Sequence, residues 1–224
     1  MTVQINHIQK KFKKKEVLQD VSFQALPGDF IGILGENGCG KSTLLSILAG
    51  IQKADGGSFL FQDKDLFKHP KLRSQLVGYV PQGTPLLQEL TALDNLKLWY
   101  ELSHQNLAYD LEHGVPALLG IPEFLQVPVY KMSGGMKKRL SISCAVAHKP
   151  RILLLDEPSA ALDLICKERI NKYFAEYTKQ GGIIVLATHD PQQLPLCNKC
   201  FILKHGCLSP YTYDGDIANL VKLL

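Results

Sequence analysis

The residues Gly35-Glu36-Asn37-Gly38-Cys39-Gly40-Lys41-Ser42-Thr43 fit the pattern G-x-x-x-x-G-K-[ST]. Glycines at this spacing let backbone N–H groups turn inward around phosphate oxygens. A helix starting directly afterwards adds the positive end of its dipole. Lys41 reaches the β- and γ-phosphates of a nucleotide, and the Ser42 hydroxyl is placed to ligate Mg²⁺. The plainer reading is a Gly-rich turn before a core helix. The apolar stretch Phe30–Leu34 before the loop and the helical spacing of Lys41–Leu48 after it favour the phosphate loop.

Further along, Arg151–Glu157 reads RILLLDE, an apolar run ending in two adjacent carboxylates. Ionised carboxylates at the end of a buried strand are costly unless they meet a cation or a proton-transfer task. Beside a phosphate loop, Asp156 is expected in the Mg²⁺ shell. Glu157 is expected to polarise an attacking water as general base. A second apolar run, Ile183–Ala187, ends in Thr188-His189-Asp190. That places His189 on the same sheet edge as Asp156, where it would sense a γ-phosphate and orient the water.

These groups need strands and helices to hold them. Continuous apolar runs at Ile152–Leu155 and Ile183–Ala187 mark strands buried on both faces of a parallel sheet. Between them Cys166, Ile170, Tyr173, Phe174 and Tyr177 form a helical stripe, so the unit is a strand–helix–strand crossover. Alternating stretches at VQINHI, EVLQDVSF, DFIGIL and GSFLFQ fill the first third, and Leu76–Val80 reads as a further strand. The middle is helical: Thr91 caps a helix bearing Leu93, Leu96 and Tyr100, and Leu107–Leu119 is broken by Gly114 and Pro116.

Tyr130–Arg139, YKMSGGMKKR, holds a glycine pair before an apparent helix start at Met136. Glycine is entropically costly, so the pair implies a turn or a close approach of backbone to a partner, and a helix start beside it suits an anion. An ordinary N-cap explains Ser133 but not the pair.

In order along the chain, these motifs resemble those of an ABC-transporter nucleotide-binding subunit. GENGCGKST resembles the Walker A motif, VPQG with Gln82 the Q-loop, MSGG the signature, and RILLLDEP the Walker B motif. SAALD, ending at Asp163, resembles the D-loop, and His189 the switch histidine. The resemblance covers almost the whole chain. It implies an α/β P-loop NTPase fold: a mainly parallel sheet flanked by helices, an N-terminal antiparallel β subdomain and an inserted α-helical subdomain. Residues 1–84 and 146–224 would form the catalytic core and 85–145 the helical subdomain, within one domain of residues 1–224. ATP and Mg²⁺ are the implied cofactors, with Gln82 joining Ser42 and Asp156 at the metal. Phe12 stands where the family stacks an aromatic on adenine; a core phenylalanine is the alternative.

The resemblance also implies a head-to-tail dimer, simplest as a homodimer. Ser133, Gly134 and Gly135 of one subunit would then cap the γ-phosphate held by the other. A separate transmembrane permease is the second implied partner. The family's usual signature carries glutamine where Met136 stands, and Gly-Gly-Met-Lys-Lys-Arg is similar to the ABC-2 type exporter branch. A soluble ABC ATPase serving an assembly machine is the alternative.

Bulk composition agrees with a folded domain. The chain has 224 residues, 46% hydrophobic and 21% charged, with a net charge of +4. That mild charge does not argue for nucleic acid, and no nucleic-acid partner is expected. MTVQINHIQK has no apolar leader segment and no apolar run approaches a membrane span. A cytoplasmic protein, peripheral on the inner membrane face through its permease, is therefore expected. Cys197, Cys200 and Cys207 would need His205 to complete a zinc set; packed thiols are the other reading. Lys10–Lys15 reads as a solvated hairpin tip. The stretch Pro85–Leu90 either lines a groove for a membrane-partner helix or packs internally.

Overall fold

The computed structural model describes residues 2–159, 162–188 and 191–223. It is built on one ten-stranded sheet in which short connections and buried apolar runs dictate the order. The chain begins with an antiparallel hairpin, β1 (Val3–Phe12) and β2 (Lys15–Ala25). The lysine-rich stretch turns between them, with Lys13 at φ 55°. β3 (Phe30–Leu34) then enters the parallel part of the sheet and leads into α1 (Lys41–Ala49). The strand β4 (Gly56–Phe61) returns to pair with β1, followed by the short β5 (Lys64–Asp65). A helix absent from the sequence reading, α2 (Pro70–Leu76), precedes β6 (Val77–Val80). It has no buried residue, so no apolar stripe announces it.

The middle of the chain is helical: α3 (Ala92–Glu101), α4 (Leu107–His113), α5 (Val115–Leu118) and α6 (Gly134–Val146). Thr91 caps α3 by accepting from Asp94 N at 3.1 Å, and Gly114 separates α4 from α5. The buried face of α3 carries Ala92, Asn95, Leu96 and Tyr100. Asn95 clasps the preceding loop. Its Oδ1 accepts from Leu87 N at 3.0 Å and its Nδ2 donates to Leu87 O at 3.2 Å. The loop's two leucines therefore part company: Leu86 is 7% exposed in the core and Leu87 is 55% exposed. For Leu86 the groove reading is corrected to internal packing.

The crossover follows as β7 (Ile152–Asp156), α7 (Leu164–Lys179) and β8 (Ile183–Ala187). The chain ends with the hairpin β9 (Lys199–Lys204) and β10 (Cys207–Tyr211), and α8 (Ile217–Leu223). Strand order is β5-β4-β1-β2-β10-β9-β3-β8-β7-β6. From β9 to β6 every neighbour is parallel, and β10 joins the antiparallel half through a Cys207–Asp20 pairing with β2.

Two apolar clusters sandwich the parallel strands. One lies toward α6, α7 and the helical middle; the other lies toward α1 and the antiparallel strands. Every residue of β3, β7 and β8 is consequently buried. Phe174 of α7 is fully buried and meets Phe30 edge-on at 6.1 Å between centroids. Among the described residues, no helix is long and apolar enough to cross a membrane.

Replacing Phe174 with Ala empties this contact. The loss expected is about 3–5 kcal/mol, read as a fall in the urea midpoint at unchanged slope.

Candidate functional site

β3, β7 and β8 run parallel, so their carboxyl ends share one edge, and the loops that leave that edge carry the predicted chemistry. β3 ends at Leu34 and the phosphate loop follows. Gly35 has φ 157°, and a Cβ there would lie 2.6 Å from both Leu203 O and Cys39 Sγ. Only glycine fits against that backbone carbonyl. Gly38, at φ 77°, has nothing within 4 Å of the corresponding position, so its backbone lies open to a ligand. The N-cap of α1, Gly40, supplies no side-chain hydrogen bond. The first-turn N–H groups are thus left for an anion.

Lys41 is buried along its length, and its Nζ donates to Gly35 O at 2.7 Å and Glu36 O at 3.0 Å. The ammonium is thereby held at the mouth of the loop. Phe12, 45% exposed, lies at the tip of β1 with the Lys10 ammonium 5.4 Å from its ring centroid. A core position is excluded for it, and the residue lines the cleft described next.

That cleft, of about 490 Å³, brings together Phe12, Asn37, Gly38, Gly40, Lys41, Ser42, Thr43, Gln82 and Glu157. Val17 also lines it, a residue the sequence reading missed because an alternating strand valine carries no functional signal. Glu36 and Cys39 face the neighbouring hollow beside Leu203–Gly206. Ser133, Gly134, Gly135 and Asp163 do not line the nucleotide cleft. His189 lies outside the described residues.

The end of β7 concentrates the electrostatics. Asp156 is 2% exposed, and its Oδ1 has no hydrogen-bond partner. Burial pushes its pKa up; a hydrogen bond with the Ser42 side chain opposes the shift, and Glu157 adds to it. Burial, aided by the Asp156 carboxylate, also pushes the Tyr79 hydroxyl up to about 12. A buried carboxylate oxygen without a donor, beside a hydroxyl and facing a cleft that Gln82 also lines, is a donor set that fits a hard divalent cation. Glu157 sits at φ 50°, with its N–H bonded to Ala187 O at 2.9 Å. A left-handed backbone at a non-glycine residue is uncommon, and here it turns the chain out of the strand at the base position.

At the signature, the structure corrects the expected helix start. α6 begins at Gly134, with the glycine pair inside its first turn, and Ser133 Oγ accepts from Met136 N at 3.2 Å. Ser133 and Gly134 are exposed, so the N-terminus of α6 faces outward. Lys138, one turn further, is a second residue the sequence reading passed over; it is 3% exposed. The signal was available: Lys138, Ile142 and Ala145 share one helical face. On β9, Cys200 hydrogen-bonds the Cys197 thiol, and the two sulfurs pack against Gly32.

Comparison with known proteins gives this arrangement a context. The family model described as "ABC transporter" matches residues 18–160. The "Spermidine/putrescine import ATP-binding protein PotA" of Spiroplasma citri is 32% identical over 97% of this chain and 63% of its own length. The "Nod factor export ATP-binding protein I" of Sinorhizobium fredii is 31% identical over 92% of this chain and 61% of its own length. The chain thus spans less than two thirds of both relatives. A solved structure, "Dimeric structure of a post-hydrolysis state of the ATP-binding cassette MJ0796 bound to ADP and Pi", superposes with a TM-score of 0.83 at 25% identity. It covers 94% of this chain and 98% of its own.

The raised pKa of Asp156 has a consequence for stability. The unfolded chain ionises this carboxyl near its ordinary 3.8, whereas the folded chain resists until higher pH. Folding therefore loses stability as pH rises from the unfolded value through the raised folded one. Asp156→Asn is expected to raise the nucleotide-free Tm at pH 7 and to match the parent protein below about pH 4, checked by thermal melts across pH.

Proposed function

The chain belongs to the ABC transporter family and is an ATP-binding ATPase cassette of it, and on that premise we propose that it powers transport through a separate transmembrane permease. The observation that carries this reading is the division of the site. The cleft gathers the phosphate loop, Gln82 and Glu157, while Ser133–Gly135 stand outside it on an exposed helix end. One copy therefore holds a nucleotide and offers a second anion-binding end to another copy. Two copies related head to tail, as a homodimer, complete two sites.

In the closed dimer each residue has a task. Gly38, Gly40 and the first turn of α1 bind phosphate oxygens through backbone N–H groups, and Lys41 neutralises their charge. Phe12 stacks on the adenine. Ser42, Asp156 and Gln82 would hold Mg²⁺, which when bound neutralises charge on the β- and γ-phosphate oxygens. Glu157 takes a proton from the attacking water, and His189 orients that water against the γ-phosphate. Ser133 and the α6 N-terminus of the partner copy close over the γ-phosphate. Asp163, which caps α7 by accepting from Cys166 N at 2.7 Å, lies at the same edge and contacts the nucleotide across the dimer. Hydrolysis removes the group that both halves share, and the dimer opens.

Residues 85–145 form a helical unit that moves against the core 1–84 and 146–224, with Gln82 at the joint. The permease docks on this unit, and the exposed Leu87 is part of the surface it meets. The protein then lies on the inner face of a membrane through its partner. Related cassettes named for import and for export are similarly close, and Gly135-Met136-Lys137-Lys138-Arg139 favours export.

Glu157→Gln is expected to lower ATP turnover at least ~100-fold and to trap an ATP-dependent dimer by size-exclusion chromatography. Turnover equal to the parent protein would remove Glu157 from its role. A monomer at saturating ATP would remove the shared site. Phe12→Ala is expected to weaken nucleotide binding by about 1–3 kcal/mol in a fluorescent-nucleotide titration, with kcat nearly unchanged.

A further inference from the structure

Beyond Val80 the chain leaves the sheet, and the carbonyls of Pro81 and Gln82 run past the last strand pairing, Val80 with Leu155. These carbonyls form part-buried contacts, and a backbone acceptor turned away from water needs a donor. Here one side chain serves both. Lys138 of α6 donates from Nζ to Pro81 O at 3.1 Å and to Gln82 O at 3.2 Å. The contact spans more than fifty residues of sequence, and the lysine is 3% exposed. A buried ammonium is costly, and a methionine of similar length would pack as well. Packing alone does not explain the charge.

The two carbonyls do, since one ammonium carries donors enough for both. Burial lowers the Lys138 pKa, while Asp156 and then Glu157 pull it back up, so the cation sits within electrostatic reach of both carboxylates. It draws the Asp156 carboxyl back toward ionisation in return. Lys138 is also five positions from Ser133 on one rigid helix, a rise of about 7.5 Å.

We propose that Lys138 is a positioning residue that fastens the Gln82 loop to the signature helix through the carbonyls of Pro81 and Gln82. When Ser133 engages a phosphate and α6 shifts, the loop bearing Gln82 shifts with it. This rests on the reading of the cleft as an ATPase site.

The test compares the parent chain with Lys138→Met and Lys138→Arg. In nucleotide-free protein, Lys138→Met is expected to speed amide exchange at Gln82–Thr84 roughly tenfold, with β7 and β8 unchanged. ATP turnover is expected to fall roughly tenfold in kcat, with KM for ATP held within about twofold and more Mg²⁺ needed for half-maximal rate. Lys138→Arg, which keeps charge and donors, restores kcat to within about threefold. Parent-like exchange and kcat in Lys138→Met overturn the proposal, as do equal losses in both variants or a rise in KM alone. If Lys138→Met fails to fold, Lys138→Gln is measured on the same criteria. If the parent chain does not hydrolyse ATP, the ATPase reading fails, whereas amide exchange still judges the loop contact.

Discussion

Parallel strands covered on both faces are the constraint from which the rest of this molecule follows. β3, β7 and β8 expose nothing, so helices must lie on either side, and each connection must cross from the end of one strand to the start of the next. All carboxyl ends therefore meet at one edge. The phosphate loop, the carboxylates of β7 and the end of β8 come from distant parts of the sequence and share that edge because the strands run parallel and are covered on both faces. The neighbour order β3-β8-β7-β6 also brings Gln82 beside Glu157.

Charge at this edge is kept by compensation. Asp156 has an oxygen without a donor, Lys41 spends its ammonium on loop carbonyls, and Lys138 spends its own on the carbonyls of Pro81 and Gln82. Each is buried, and each would be costly alone. Together they form a field in which acids and bases lie within reach of one another and of a polyanion. The left-handed backbone at Glu157 belongs to the same design: strain is held at the point where a side chain must leave the strand toward the cleft.

The helical middle packs on the parallel strands through a shared apolar cluster, and specific polar contacts fix its loops. Asn95 pins the loop at Leu87, Arg139 donates to Leu119 O at 2.9 Å and covers the Phe124 ring, and Lys138 reaches back to the loop before α3. These directional contacts add to broad apolar burial.

Much of this was legible before any coordinates. The phosphate loop, the paired carboxylates, the Thr91 cap and the apolar runs of β7 and β8 are local patterns, and local patterns survive in sequence because backbone propensity and side-chain period are local. The family resemblance rests on their order. Other features were decided only by tertiary structure. α2 has no buried face to announce it. Leu86 and Leu87 are adjacent and alike, yet one is core and one is surface, because Asn95 fixes which way the loop turns. The fate of Lys138 depended on a loop fifty-six residues away, and chemical identity alone marks lysine as a surface residue. Sequence determined which groups do chemistry; the packed fold decided which of them face one another, since contact across the chain is set by burial and not by neighbourhood in the sequence.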